Sequence, residues 1–128
     1  MRDRVRIIMA TLLLTACEEP QEPQVALDAA GLYPLIRVED VAIPGRLPGG
    51  LYIRSASLNL SADQTYRNDF ALNEPPSSPA YSWSTGTWTL DASGAGTLIS
   101  LTGATTTFLR RGDTLLVEQP LGTFVYVR

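Results

Sequence analysis

The chain has 128 residues, with ten Arg and no Lys against thirteen Asp and Glu, a formal charge of -3, no His and one Cys. That balance excludes a basic nucleic-acid face, an internal disulfide and a multi-cysteine zinc site, and no catalytic motif or cofactor fingerprint is present. The absence of His also removes the commonest general base and metal ligand, while 45% hydrophobic residues over this length argue for one folded domain.

Residues 1–16 read as a signal peptide. Arg2, Arg4 and Arg6 supply a positive start, and Ile7 to Leu14 form an apolar run too short to span a bilayer, which takes roughly 20 residues. The run ends in Leu14-Thr15-Ala16-Cys17, which resembles the lipobox of bacterial lipoproteins. The resemblance implies diacylglycerol on the Cys17 sulfur, cleavage before Cys17 and a further acyl chain, commonly palmitate, on the new amine. Stable attachment takes two or three chains, because each buried CH₂ contributes only about 0.8 kcal/mol. Glu18 follows the cysteine where inner-membrane lipoproteins carry Asp, which implies the outer membrane, facing the periplasm. Removal of residues 1–16 leaves seven Arg against twelve Asp and Glu, a side-chain charge of -5. Such a surface is not drawn to anionic lipid heads.

Residues 17–29 read as the lipidated Cys followed by an acidic, Pro-rich tether, extended because Glu18 to Gln24 contains nothing to bury. Residues 18–28 are accordingly expected to be dispensable for folding. Residues 30–128 show short β runs separated by turn residues. Leu32 to Val38 is a first strand interrupted by Pro34, and Pro44-Gly45 and Pro48-Gly49-Gly50 mark a loop. Leu51 to Leu60 alternates, as does the segment carrying Tyr66, Phe70 and Leu72; Asn73 to Pro79 is a loop, and Tyr81 to Leu90 carries both Trp residues. Four further runs follow, 97–101, 105–109, 115–118 and 124–127, with Arg111-Gly112-Asp113 as a hairpin turn. The pattern predicts an all-β fold of about eight short antiparallel strands in a meander, closed into a small barrel so that no edge is left to aggregate.

Gly31-Leu32-Tyr33, Leu58-Asn59-Leu60 with Asp63 and Thr65-Tyr66, Gly86-Thr87-Trp88, and Phe124 to Arg128 occur in an order that resembles the small lipocalin-like β-barrel lipoproteins of bacterial envelopes. In lipocalins a Trp on the first strand is covered by a basic residue near the end of the barrel; Tyr33 and Arg128 stand at those places. The resemblance implies barrel closure with Arg128 over Tyr33. It also implies a cavity for a small apolar ligand, reduced here by the shorter chain.

The remaining candidates are aromatic. An unbroken strand sends Tyr81 and Trp83 to one face and Trp88 and Leu90 to the other, whereas a bulge at Gly86 would turn all three rings inward. In the unbroken case one pair is core and the other, Tyr81 and Trp83, faces a mouth or groove that could stack on a ligand. Three functions follow in order: a membrane-anchored, non-enzymatic interaction module for an unknown envelope protein, a carrier of a small apolar ligand, and a glycan hydrolase using carboxylates alone. A cavity of a few hundred Å³ favours the carrier, a filled barrel with an exposed apolar patch the interaction module, and two acids in a cleft the hydrolase.

Overall fold

The computed structural model describes residues 23–74 and 78–128. The signal peptide, Cys17 and the start of the tether lie outside these residues. A short helix, α1 (Pro23–Ala29), is followed by ten strands: β1 (Gly31–Val38), β2 (Val41–Ala42), β3 (Gly45–Arg46), β4 (Tyr52–Leu60), β5 (Thr65–Glu74), β6 (Ser78–Leu90), β7 (Ala95–Ser100), β8 (Thr105–Arg111), β9 (Thr114–Gln119) and β10 (Gly122–Val127). Eight of these, β1 and β4 to β10, form an antiparallel up-and-down barrel. The two-residue strands β2 and β3 lie in the β1–β4 connection, where only a loop is expected from the sequence.

Closure depends on β1 serving two neighbours. Its first half pairs with β4, Tyr33 opposite Leu58. Its second half pairs with β10, Leu35 opposite Tyr126 and Val38 opposite Phe124. A bulge between Leu35 and Arg37 changes the parity, so Tyr33, Leu35 and Val38 all point inward although their spacing is not a strict alternation. Pro34, exposed, sits in the half that pairs with β4 rather than at the bulge.

The barrel has one packed end and one open end. The packed end holds the turns β4–β5, β6–β7 and β8–β9, and its interior is filled by Tyr33, Leu58, Leu60, Trp88, Leu115 and Tyr126, each at most 1% exposed. Trp88 Nε1 donates to the Ser61 carbonyl at 2.9 Å, so the largest buried ring also has its polar atom satisfied. Gly96 leaves room for the Phe108 ring, which lies 2.2 Å from where a Cβ would stand.

At this end, over residues 23–29 of the segment where an extended tether is expected, the chain forms α1. Pro23 opens the helix, where its missing N–H costs nothing, and Ala26 and Ala29 are buried against the barrel. The physical reason is that the apolar Ala26 and Ala29, three residues apart, meet one face of a helix and close the barrel floor. Three side chains cap the helix C-terminus: the Tyr33 hydroxyl donates to Ala29 O at 2.6 Å, Arg110 to Asp28 O at 3.0 Å, and Arg128 to Asp28 O at 2.9 Å and Ala30 O at 2.8 Å. These groups meet carbonyls that have no partner inside the helix, at its negative end.

Candidate functional site

β6 is the longest strand, and only its lower part has two neighbours. It pairs with β5 from Ser78 to Thr87, but with β7 only from Gly86 to Leu90. Gly86 marks the parting: a Cβ there would stand 1.9 Å from Ile99 O, so only glycine lets β7 approach so closely. The register is unbroken through Gly86, so the bulge alternative does not occur. Trp88 and Leu90 point into the core, and Tyr81 and Trp83 point out of the barrel, 75% and 60% exposed.

The upper walls of β4, β5 and β6 stand above the short β7–β8 hairpin and leave an open cavity of about 680 Å³. One wall is apolar, with Leu51, Ile53, Phe70, Leu72 and Phe124; Phe70 and Phe124 meet edge to face, centroids 6.1 Å apart. The opposite wall is bordered by Ser82, Ser84, Thr85, Ser100, Thr102 and Thr106, and Tyr66, Asn68 and Gln119 add uncharged polar groups elsewhere in the lining. The lining contains no Arg, Asp or Glu. Asn68, a buried polar side chain, donates from its amide nitrogen to Ser57 O at 2.9 Å and to the Tyr126 hydroxyl at 3.2 Å. Burial pushes the Tyr126 phenol up to about 12, against a smaller lowering by the Asn68 hydrogen bond.

Asn68 shares the parity of Tyr66, Phe70 and Leu72 on β5, and Ser82 and Ser84 share that of Trp88 on β6. Counting by twos from the buried aromatic residue finds all three. The short chain does not shrink the cavity as expected, because three long neighbouring strands make a tall partial wall.

A second groove, about 410 Å³, lies on the outer face of β4, β5 and β6. Register aligns Ser55, Ala71 and Tyr81 in one cross-strand row and Ser57, Asp69 and Trp83 in the next. Arg67 ties the rows together: its guanidinium carbon lies 4.8 Å from the Trp83 ring centroid, and its Nε reaches both Asp69 oxygens at 2.9 and 3.0 Å. A bulge in β4 turns Arg54 outward over Tyr81, 5.1 Å from the centroid. Tyr81 and Trp83 thus flank a groove on the barrel wall rather than the interior.

At the packed end, Arg128 lies 5.1 Å from the Tyr33 ring centroid and binds Asp113 through Nη2 at 2.6 Å and Nε at 3.0 Å. Burial raises the Tyr33 phenol, and the Arg128 charge offsets part of that rise. Asp113 is thereby occupied as a structural partner inside the β8–β9 turn. Asp63 and Asp91 accept hydrogen bonds from Thr65 and Ser93 in two other turns, which hold both carboxyls below their ordinary range. Among the described residues no cluster of three or more His, Cys, Asp or Glu could hold a metal, and no helix is long and apolar enough to cross a membrane.

No protein-family model matches the chain, and no curated protein does. Among solved structures, the chain is similar to the crystal structure of the Cpx pathway activator NlpE from Escherichia coli. The two share 20% identity over 75% of this chain and 45% of that one, with a TM-score of 0.48.

Proposed function

We propose that this barrel is a non-enzymatic binding module of the bacterial cell envelope. In this reading it is held on the outer membrane by lipid on Cys17, faces the periplasm, and takes a small apolar ligand into its open mouth. The open cavity of about 680 Å³ carries the reading: it is within the size range of ligand pockets, largely apolar, and lined by several uncharged polar residues, most of them Ser and Thr on one side. A ligand lying across it puts hydrocarbon on the Phe70 and Phe124 side and a neutral polar group on the Ser84 and Ser100 side. An ionised head buried against this lining would have no counter-charge, which disfavours anions and cations alike. The hydrolase reading loses support because no carboxylate lines the cavity. A packed barrel presenting only an apolar surface would have favoured the protein-interaction reading, and half of this barrel is not packed.

The lipidated full chain in detergent micelles tests the proposal, with a photoactivatable diazirine analogue of a long-chain alcohol as probe. Mass spectrometry of the adducts is expected to place most label on cavity residues such as Leu72, Leu98 and Phe124. Ser84→Trp, which fills the mouth from the hydroxyl wall, is expected to remove most of it. Label spread evenly over the outer surface, or unchanged by S84W, would overturn the reading.

A further inference from the structure

We infer that the outer groove of β4, β5 and β6 is a saccharide-binding site, separate from the barrel mouth. Three observations carry this. First, Tyr81 and Trp83 are two residues apart on one strand and expose large rings to solvent, 75% and 60%. The two rings therefore stand side by side on a rigid wall, at the spacing of alternate strand residues, with no loop to reorganise. Second, a guanidinium lies against each ring, Arg54 at 5.1 Å and Arg67 at 4.8 Å, a contact that favours one ring orientation before any ligand arrives. Third, the rows that carry the rings end on Ser55 and Ser57, with the small Ala71 between Ser55 and Tyr81, which leaves a groove of about 410 Å³ beside the rings.

The chemistry of the groove fits a sugar better than an apolar ligand. A pyranose offers C–H bonds on one ring face, which suit the negative face of an aromatic ring, and a rim of hydroxyls that both donate and accept. The Asp69 carboxylate is an acceptor, and the Arg67 guanidinium and the Ser55 and Ser57 hydroxyls are donors, so a hydroxyl rim meets both kinds of partner. Asp69 and Arg67 are already paired and their charges offset one another, so an uncharged ligand can bind without leaving either ion alone. The cavity in the barrel has no such carboxylate–guanidinium pair.

The two indole N–H groups give an internal control: Trp88 Nε1 is hydrogen-bonded in the core, whereas Trp83 borders both the groove and the mouth, and Tyr81 and Asp69, which line the groove alone, assign a response to it. The lipidated full chain in phosphatidylcholine nanodiscs, which add no sugar, is titrated with linear tetrasaccharides of glucose, N-acetylglucosamine and galacturonic acid. The indole signals are followed by NMR. At least one neutral tetrasaccharide is expected to move the Trp83 signal saturably and leave Trp88 in place. Tyr81→Ala and Asp69→Asn are each expected to weaken binding roughly tenfold, a size usual for a contact at the centre of a site. Thr106→Phe, which fills the barrel mouth from β8 and adds no indole, is expected to leave sugar binding unchanged, so failure of the cavity reading and failure of this one are told apart. No shift with any of the three sugars overturns the inference. So does a response confined to galacturonate and abolished by salt, or a Trp83 signal that moves with protein concentration alone, which would mean a second copy covers the groove.

Discussion

Tyr126 shows how one side chain ties the packed half of the barrel to the open half. Its ring is fully buried, and its hydroxyl is met by Asn68, which also reaches the Ser57 carbonyl. Taking the phenolate out of water is the main reason its pKa is pushed up to about 12. An unfolded tyrosine titrates near pH 10. The folded-state pKa is raised, so the proton-linked stability is fully present below the unfolded pKa and is lost as pH rises through the folded one. The denaturation midpoint is therefore expected to fall steeply between about pH 10 and pH 12. Tyr33, whose phenol is raised in the same direction by burial, adds to the slope. Tyr126→Phe is expected to flatten that fall, measured as urea midpoints across the range; an unchanged slope would refute the assignment. Asn68 is the residue whose place is hardest to read locally, because a polar side chain at a core position makes sense only once its two partners, eleven and 58 residues away, are known.

At the scale of elements, α1 changes the expected role of the segment before the barrel. A seven-residue helix is not stable alone, because nucleation costs more than so few hydrogen bonds return. It persists because Ala26 and Ala29 are buried and because Tyr33, Arg110 and Arg128 satisfy carbonyls at its end. Removing it exposes the barrel floor and leaves the Tyr33 hydroxyl without its acceptor, a loss of roughly 1–3 kcal/mol for an unsatisfied buried group. A chain begun at Ala30 is expected to melt about 10 °C below one begun at Pro23, since about 2 kcal/mol corresponds to that shift in a domain of this size. Equal melting temperatures by circular dichroism would show that the helix contributes nothing. The composition of Glu18 to Gln24 hides this outcome, because the residues that matter are the two small alanines after the charged stretch. Small apolar residues carry no strong pattern until their partner surface is known.

At the scale of the molecule, the barrel sorts its chemistry between two ends and an outer wall. The N-terminal helix and the C-terminal Arg128 are both at the packed end, away from the mouth. The proposed lipid on Cys17 would then reach the domain from the packed end and leave the mouth open to the periplasm. Cys17→Ser is expected to leave the precursor uncut and free of lipid, because no thiolate is there to take diacylglycerol. Growth with a radiolabelled fatty acid and gel electrophoresis checks this; equal label in both forms would exclude the anchor and the orientation argued from it.

The all-β class, the eight barrel strands and most turns follow from period-two alternation, Gly and Pro punctuation and the two-faced nature of a strand. These are local properties, present in any stretch of ten residues. Alternation leaves Tyr81 and Trp83 open between an outward face and a bulge at Gly86, and the unbroken register rules that bulge out. Closure by pairing the first strand with the last follows less directly, from the cost of leaving two edges unpaired. Tertiary structure alone decided the rest. Strand lengths across the barrel are unequal, so β6 outruns β7 above Gly86 and leaves an open cavity where a short chain implies a reduced one. The bulges at Ile36 and Arg54 shift parity at single residues, which alternation cannot foresee. The outer groove arises because register sets Ser55 and Ala71 beside Tyr81, and Ser57 and Asp69 beside Trp83. Register is a relation between distant segments, fixed by the packing of the whole barrel, and no single strand carries it.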